Sequence, residues 1–401
     1  MHFNIRQGDE TLGVEIADER LVGRFAGPTA KKAPTPEALI KQALDAPLEA
    51  PPLHRMVVPG DRVAIGLDAS LPSLERLIAP MLDELVSGSV ERDDVTLLLT
   101  PGADEMQATK LRKAFPEVHV EIHDPAGDGT VAYLASTKDG RRLYLNRRAV
   151  EADFLLLIGR AGADPLLGRR GPSSVLFPLL ADLPALERAR TFATDVRAAA
   201  ATTVERQGSA EAAWLAGVLF GLSVACDRND APSDAWFGML KNVDAAAEAT
   251  LKPLWTPKPP TREPDLIVAS LSKRRLFDPW GTAAAAAYQA LAHAPGSPAV
   301  LLVTDLDERP GEAVGWLASS DEWSHRQARF RSPEGRRATD VVAAAQLAEV
   351  LAETNVFLAS RLAPEVVESL GMTPVDGRRE LQTTAGRSKA IWVVEDADAI
   401  W

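Results

Sequence analysis

The stretch from Pro59 to Gly102 constrains this chain more than any other. Val63-Ala-Ile-Gly-Leu-Asp68 and Val95-Thr-Leu-Leu-Leu-Thr100 are short apolar runs of the kind that form buried strands. Between them Leu74, Leu77, Ile78, Met81, Leu82 and Leu85 recur at three- and four-residue spacing, which places them on one helical face. Strand, helix and strand within so few residues make one parallel βαβ unit. Ligands of such units sit beyond the carboxyl ends of the strands, so Asp68–Ser73 and Thr100–Met106 are the first places to look for chemistry.

The rest of the chain extends this pattern. Residues 1–27 alternate like a β-hairpin, with Phe3, Ile5, Leu12, Val14, Ile16, Leu21 and Val22 as its apolar set. A helix is predicted over Pro36–Leu44 with Thr35 as its N-cap. Further on, Ala108–Phe115 reads as a helix and Val118–His123 as a strand. Ala152–Ile158 reads as a strand buried on both faces. Residues 179–250 read as mostly helical. Leu251–Pro264 carries Pro253, Pro257, Pro259, Pro260 and Pro264 and reads as a linker. Asp265–Ser270 then opens a second α/β pattern. It continues with a helix over Thr282–Ala294, a strand over Ala299–Thr304, a helix over Ala338–Glu353, and strands over Val356–Ala359 and Ala390–Val394.

The fold expected is α/β, in two α/β domains with a cleft between them. The N-terminal domain covers 1–252, including the helical region 179–250; the linker is 253–264 and the C-terminal domain 265–401. A length of 401 residues supports that division, since a domain averages about 150 residues. With 46% hydrophobic and 25% charged residues the chain is globular. A net charge of -12 speaks against nucleic acid and anionic membranes as partners. Basic residues nevertheless cluster at Arg141-Arg142, Arg147-Arg148, Arg169-Arg170 and Lys273-Arg274-Arg275. One cysteine, Cys226, excludes an internal disulfide, and the first residues carry no apolar signal core, so a cytoplasmic protein is expected.

The order of five segments resembles the nickel-pincer-nucleotide lactate racemases and their relatives. The segments are Leu44–Leu53, Pro59–Ile65, Asp93–Leu97, Asn146–Asp153 and Asp265–Ser270. That resemblance implies an isomerase with two α/β domains. In the family a nickel ion is held by a lysine-tethered pyridinium nucleotide and by a histidine. Two more histidines move the hydroxyl proton of a 2-hydroxy acid, and an arginine grips its carboxylate. At the matching positions this sequence has Leu71 for the arginine, Ala103 and Asp164 for histidines, and Ser174 for the lysine. The resemblance therefore implies loss of the family's cofactor anchors, and neither cofactor nor metal is expected.

The remaining candidates have two readings each. Asp68, Asp104 and Asp164 all follow strands. They form either a trio of carboxylates for acid–base work or cation binding, or the turn and helix caps common in loops. Arg160, Arg169 and Arg170 either bind a small anion or balance neighbouring acids. Gly168–Ser174 either offers backbone N–H groups to an anion or is an ordinary loop. His119, Glu121 and His123 share one side of a strand and read better as a surface strand than as a metal triad. Trp280 and Cys226 read as core residues. Three functions follow: a protein without pincer chemistry that binds a small anion in the cleft, a divergent 2-hydroxy-acid racemase or epimerase, or a structural or partner-binding pseudoenzyme.

Overall fold

The computed structural model describes residues 2–7, 10–30, 34–195, 204–271, 278–319 and 323–401. The Lys273-Arg274-Arg275 cluster lies outside the described residues. The chain forms two compact units. One comprises Met1–Thr29, Arg190–Ala201 and Pro253–Trp401, and the other Ala30–Ala189 and Thr202–Lys252. Met1–Thr29 thus groups with Pro253–Trp401. Strands β1 (His2–Gln7) and β2 (Glu10–Glu15) form the expected antiparallel hairpin. Strand β3 (Leu21–Phe25), however, pairs in parallel with a strand from the last residues of the chain.

The unit built from the middle of the chain holds strands β4 (Val63–Leu67), β5 (Val95–Leu99), β6 (His119–Ile122), β7 (Val131–Ser136) and β8 (Arg142–Asn146). It continues with β9 (Phe154–Arg160), β10 (Gly162–Asp164), β11 (Gly168–Arg170), β12 (Phe220–Cys226) and β13 (Pro232–Met239). Its six-stranded sheet runs β13-β12-β9-β4-β5-β6, parallel except where β13 turns back on β12. All five residues of β4 are buried, as a central parallel strand requires. The helix Leu74–Ser87 buries the six apolar residues of its predicted face against that sheet. Thr35 caps the helix Pro36–Asp45, its hydroxyl accepting from the Ala38 N–H at 3.3 Å.

Residues 179–250 are not mostly helical. Helices Leu183–Ala193, Val204–Leu215 and Leu240–Trp255 are present, but β12 and β13 lie between them. Phe220–Cys226 is an apolar run buried along nearly its whole length beside β9. Such a run has no polar face, so its periodicity does not separate a buried strand from a buried helical segment. The β7–β8 hairpin, with Tyr133 and Tyr144 edge to face at 5.7 Å, was likewise not visible in the pattern.

The other unit carries β14 (Leu266–Ser270), β15 (Ala299–Val303), β16 (Val356–Ala359), β17 (Thr373–Pro374) and β18 (Ile391–Val394). With β3 they form a parallel sheet in the order β17-β16-β15-β14-β18-β3. Helices Pro279–Ala292 and Val341–Glu353 are buried over most of their lengths, which suits their alanine-rich sequences. Trp280 is buried and donates its indole N–H to the Glu308 carbonyl at 3.0 Å. No helix among the described residues is long and apolar enough to cross a membrane.

Candidate functional site

The carboxyl ends of β4, β5, β9 and β12 bring most of the candidate residues together. Asp68 leaves β4 fully buried. Its Oδ1 accepts from the Ser70 N–H at 3.0 Å and the Ser70 hydroxyl at 2.7 Å, which makes a tight Asx turn. The same oxygen accepts from Arg170 Nη2 at 3.2 Å, and Oδ2 accepts from the Arg160 backbone N–H at 3.2 Å. Both oxygens of this buried side chain thus accept hydrogen bonds, the condition under which a buried polar group is tolerable.

Arg160 ends β9 and is itself buried. Its Nη1 donates to the Ser70 carbonyl at 2.9 Å and its Nη2 to Asp230 Oδ1 at 2.6 Å. Burial works against this guanidinium's charge, but the field of Cys226, Asp230 and Asp68 outweighs burial and raises its pKa. Asp230 reaches it from the turn between β12 and β13, where it holds φ 61°. Asp227 shapes that turn by accepting from the Asn229 and Ala231 N–H groups at 2.8 and 3.1 Å. Asp and Asn tolerate this left-handed backbone better than other residues.

Asp164 sits at the end of β10. Its Oδ1 accepts from the Leu166 and Leu167 N–H groups, both at 2.8 Å, and its Oδ2 faces Arg170 Nε at 3.3 Å. Arg170 thus bridges Asp164 and Asp68. Arg169 pairs with Glu248 on the helix Leu240–Trp255. Asp104 stands apart from this network as the N-cap of the helix Glu105–Ala114. It forms a capping box with Gln107, whose N–H donates to Oδ1 at 2.7 Å. Gln107 in turn donates its side-chain amide to the Ala69 carbonyl at 2.9 Å, which ties the loop after β4 to that helix.

Leu71 is buried in the apolar core beneath the sheet, and Ala103 packs against the same core. Ser174 is buried, with its hydroxyl donating to the Gly171 carbonyl at 2.6 Å and accepting from the Gly171 N–H at 3.3 Å. The Gly168–Ser174 loop therefore spends this N–H internally, and the helix that follows, Pro172–Ser174, is a single turn. Gly159 of β9 explains the closeness of this loop. A Cβ there would lie 2.5 Å from the Gly171 carbonyl carbon and 2.5 Å from Pro172 N, so only glycine lets the two backbones approach.

The histidines of β6 do other work. His119 is exposed, while His123 is buried just past the strand end. Its Nε2 bonds the Ala181 carbonyl at 2.9 Å, and its Nδ1 faces the Asn146 amide nitrogen at 3.1 Å. Those partners fix one neutral tautomer with Nε2 as donor, and burial lowers the His123 pKa from 6.5. Asn146 also donates to Glu121 at 2.8 Å, while its Oδ1 caps the short helix Arg147–Glu151. No cluster of three or more potential metal-ligating His, Cys, Asp or Glu side chains occurs among the described residues.

Sequence reasoning missed Asp230, Ser70 and Gly159. The signal for Asp230 was the Asp227-Arg-Asn-Asp230 turn, whose charge faces Arg160 once β12 is recognised as a strand beside β9.

The lactate racemase N-terminal domain family matches residues 7–187. The lactate racemase of Thermoanaerobacterium thermosaccharolyticum is 24% identical over 191 residues, 45% of this chain and 45% of that protein. The sequence match thus spans less than half the length of this relative. The lactate racemase apoprotein from the same organism superposes with a TM-score of 0.81 at 18% identity, covering 100% of this chain and 99% of that one. A Thermotoga maritima protein of known crystal structure superposes with a TM-score of 0.66 at 11% identity, covering 94% of this chain and 99% of the other. The family signature covers residues 7–187, and the fold along the whole chain is similar to that of the lactate racemase apoprotein.

Proposed function

We propose that this lactate-racemase-like protein does not carry out nickel-pincer racemisation and acts as a non-catalytic member of its group, a cytoplasmic pseudoenzyme with structural or partner-binding work. The carrying observation is that the arginines at the strand ends are paired with carboxylates of the chain itself. Arg160 is held by Asp230 and Ser70, Arg170 by Asp68 and Asp164, and Arg169 by Glu248. A gripping arginine must present a fork to substrate carboxylate, and these forks already hold carboxylates of the chain itself.

The positions that the family resemblance assigns to the cofactor support the same reading. A pyridinium nucleotide tethered to the chain needs an amine. Ser174 offers a hydroxyl already bonded to the Gly171 carbonyl. The nickel-binding imidazole that the resemblance places in the region after the third strand has no counterpart, since no histidine occurs between His123 and His293. Leu71 and Ala103 bring only apolar surface where a cation and a base belong. This donor set does not fit the nickel-pincer group.

The test is to co-express the full chain with the nickel-pincer biosynthetic proteins in nickel-supplemented medium. The purified protein is then assayed for nickel, for visible absorbance and for interconversion of D- and L-lactate. No nickel and no interconversion are expected. Stoichiometric nickel with racemisation would establish the rival reading, a 2-hydroxy-acid racemase or epimerase with recruited catalytic groups. The small-anion reading demands more of a ligand, which must displace Asp68 or Asp164 from Arg170. Saturable binding of lactate or pyruvate that Arg170→Gln abolishes would establish it instead.

A further inference from the structure

A second basic cluster lies away from the strand ends. The β7–β8 hairpin, the segment around Phe177 and the helix Val204–Leu215 enclose a cavity of about 30 Å³, room for a head group of a few polar atoms. Leu143 and Phe177 supply apolar wall, and Arg141, Arg142, Arg188 and Glu211 supply charge. Glu211 is anchored by the Lys138 N–H at 2.7 Å, and Arg141 pairs with Asp139 at 2.6 Å. Three guanidiniums and one carboxylate, Glu211, thus line the cavity. Among the described residues no hydrogen bond or close ion pair engages the Arg142 or Arg188 side chain, and Arg188 feels the longer-range attraction of Asp182, which lies outside the lining.

From this geometry we infer that the cavity is a small-oxyanion site, taking a phosphoryl or carboxylate head between Arg142 and Arg188 with Glu211 at its edge. Two guanidiniums at one polar cavity, with apolar wall behind them, match the fork recognition that arginine gives to oxyanions. The neighbouring carboxylate sets a limit, since Glu211 repels a second negative charge and favours a monoanion or a head group with a proton to donate. The site is independent of the strand-end network and of its reading as non-catalytic.

Isothermal titration of the full chain with inorganic phosphate, and separately with acetate, at constant ionic strength in chloride tests this. Saturable binding of one anion per chain is expected, with phosphate the tighter if the natural head is phosphoryl and acetate the tighter if it is a carboxylate. Arg142→Gln and Arg188→Gln should each weaken binding about tenfold, the worth of one charge-assisted hydrogen bond. Glu211→Gln should tighten it, an outcome that misfolding does not produce. Absence of saturable binding of either anion, or equal affinity in wild type and the Arg142→Gln/Arg188→Gln double variant, would overturn the assignment.

Discussion

Strands β4 and β9 lie side by side in parallel, and arginine–carboxylate contacts stand at both ends of the pair. At the amino ends Arg62 meets Asp153 through two side-chain bonds of 2.9 and 3.1 Å, with the two side chains 63% and 43% exposed. At the carboxyl ends Arg160 meets Asp230 at 2.6 Å, with exposures of 4% and 9%, and Arg170 meets Asp68. The chemistry is the same and the solvent is not. In water the pair is screened and each partner is hydrated when the contact breaks, whereas in the interior a lone partner keeps its charge without solvation. The amino-end pair is an accessory to the strand register. The carboxyl-end network is a condition of the fold.

The sharpest way to break this contrast is Asp68→Ala. It takes from Arg170 one of its two carboxylates, leaves the Arg160 N–H without its acceptor and unties Ser70, and should lower unfolding free energy by about 3–5 kcal/mol in urea titrations. A loss below 1 kcal/mol would mean the network is solvated. Next comes Leu71→Ala, which empties core volume beside the same loop and should cost about 2–5 kcal/mol by the same measurement. Asn146→Ala removes the cap on Arg147–Glu151 together with the His123 and Glu121 contacts, and should cost about 1–2 kcal/mol.

The same cluster makes a pH prediction. His123 has a folded pKa below its ordinary 6.5, so the unfolded chain takes up the proton first. Stability should therefore be at its plateau above 6.5 and fall as pH drops below it, and His123→Gln should flatten that part of a melting-temperature profile. The smallest effect belongs to Arg62→Ala. The midpoint should move little at low salt and not at all in molar salt, because Asp153 stays hydrated without its partner. Asp153 is held at about 2, first by its side-chain bond to Arg62 and then by the Arg62 N–H. Any contribution of this pair is therefore present above the ordinary carboxylate pKa of 3.8 and fades as pH falls from there toward 2.

Much of the fold was legible because its central strands and helix carry unambiguous patterns. Val63–Leu67, Val95–Leu99 and the Leu74–Ser87 face lie where their periodicity places them. Two runs that carry the family resemblance, Pro59–Ile65 and Asn146–Asp153, turn out to be joined through Arg62 and Asp153, a contact no spacing rule anticipates. The misread segment, Phe220–Cys226, failed for a physical reason. A strand buried on both faces presents no alternation, and its partner β9 is distant in sequence. That failure concealed Asp230, and without Asp230 the unpaired Arg160 looked available to a ligand. For the loop aspartates the sequence left two roles open. The geometry has Asp104 as a helix cap and Asp68 and Asp164 as turn formers that also hold Arg170.

Strand β3 completes the edge of a sheet whose neighbouring strand, β18, is made near the end of the chain. Arg24 and Glu395, bonded at 2.9 and 2.6 Å, are 371 residues apart in sequence. During synthesis β3 must therefore wait, without its neighbour in the sheet, until β18 has left the ribosome. A fragment starting after residue 29 would leave the outer row of β18 open to pairing with a second molecule, so trimming the front of this protein should show itself first as precipitation.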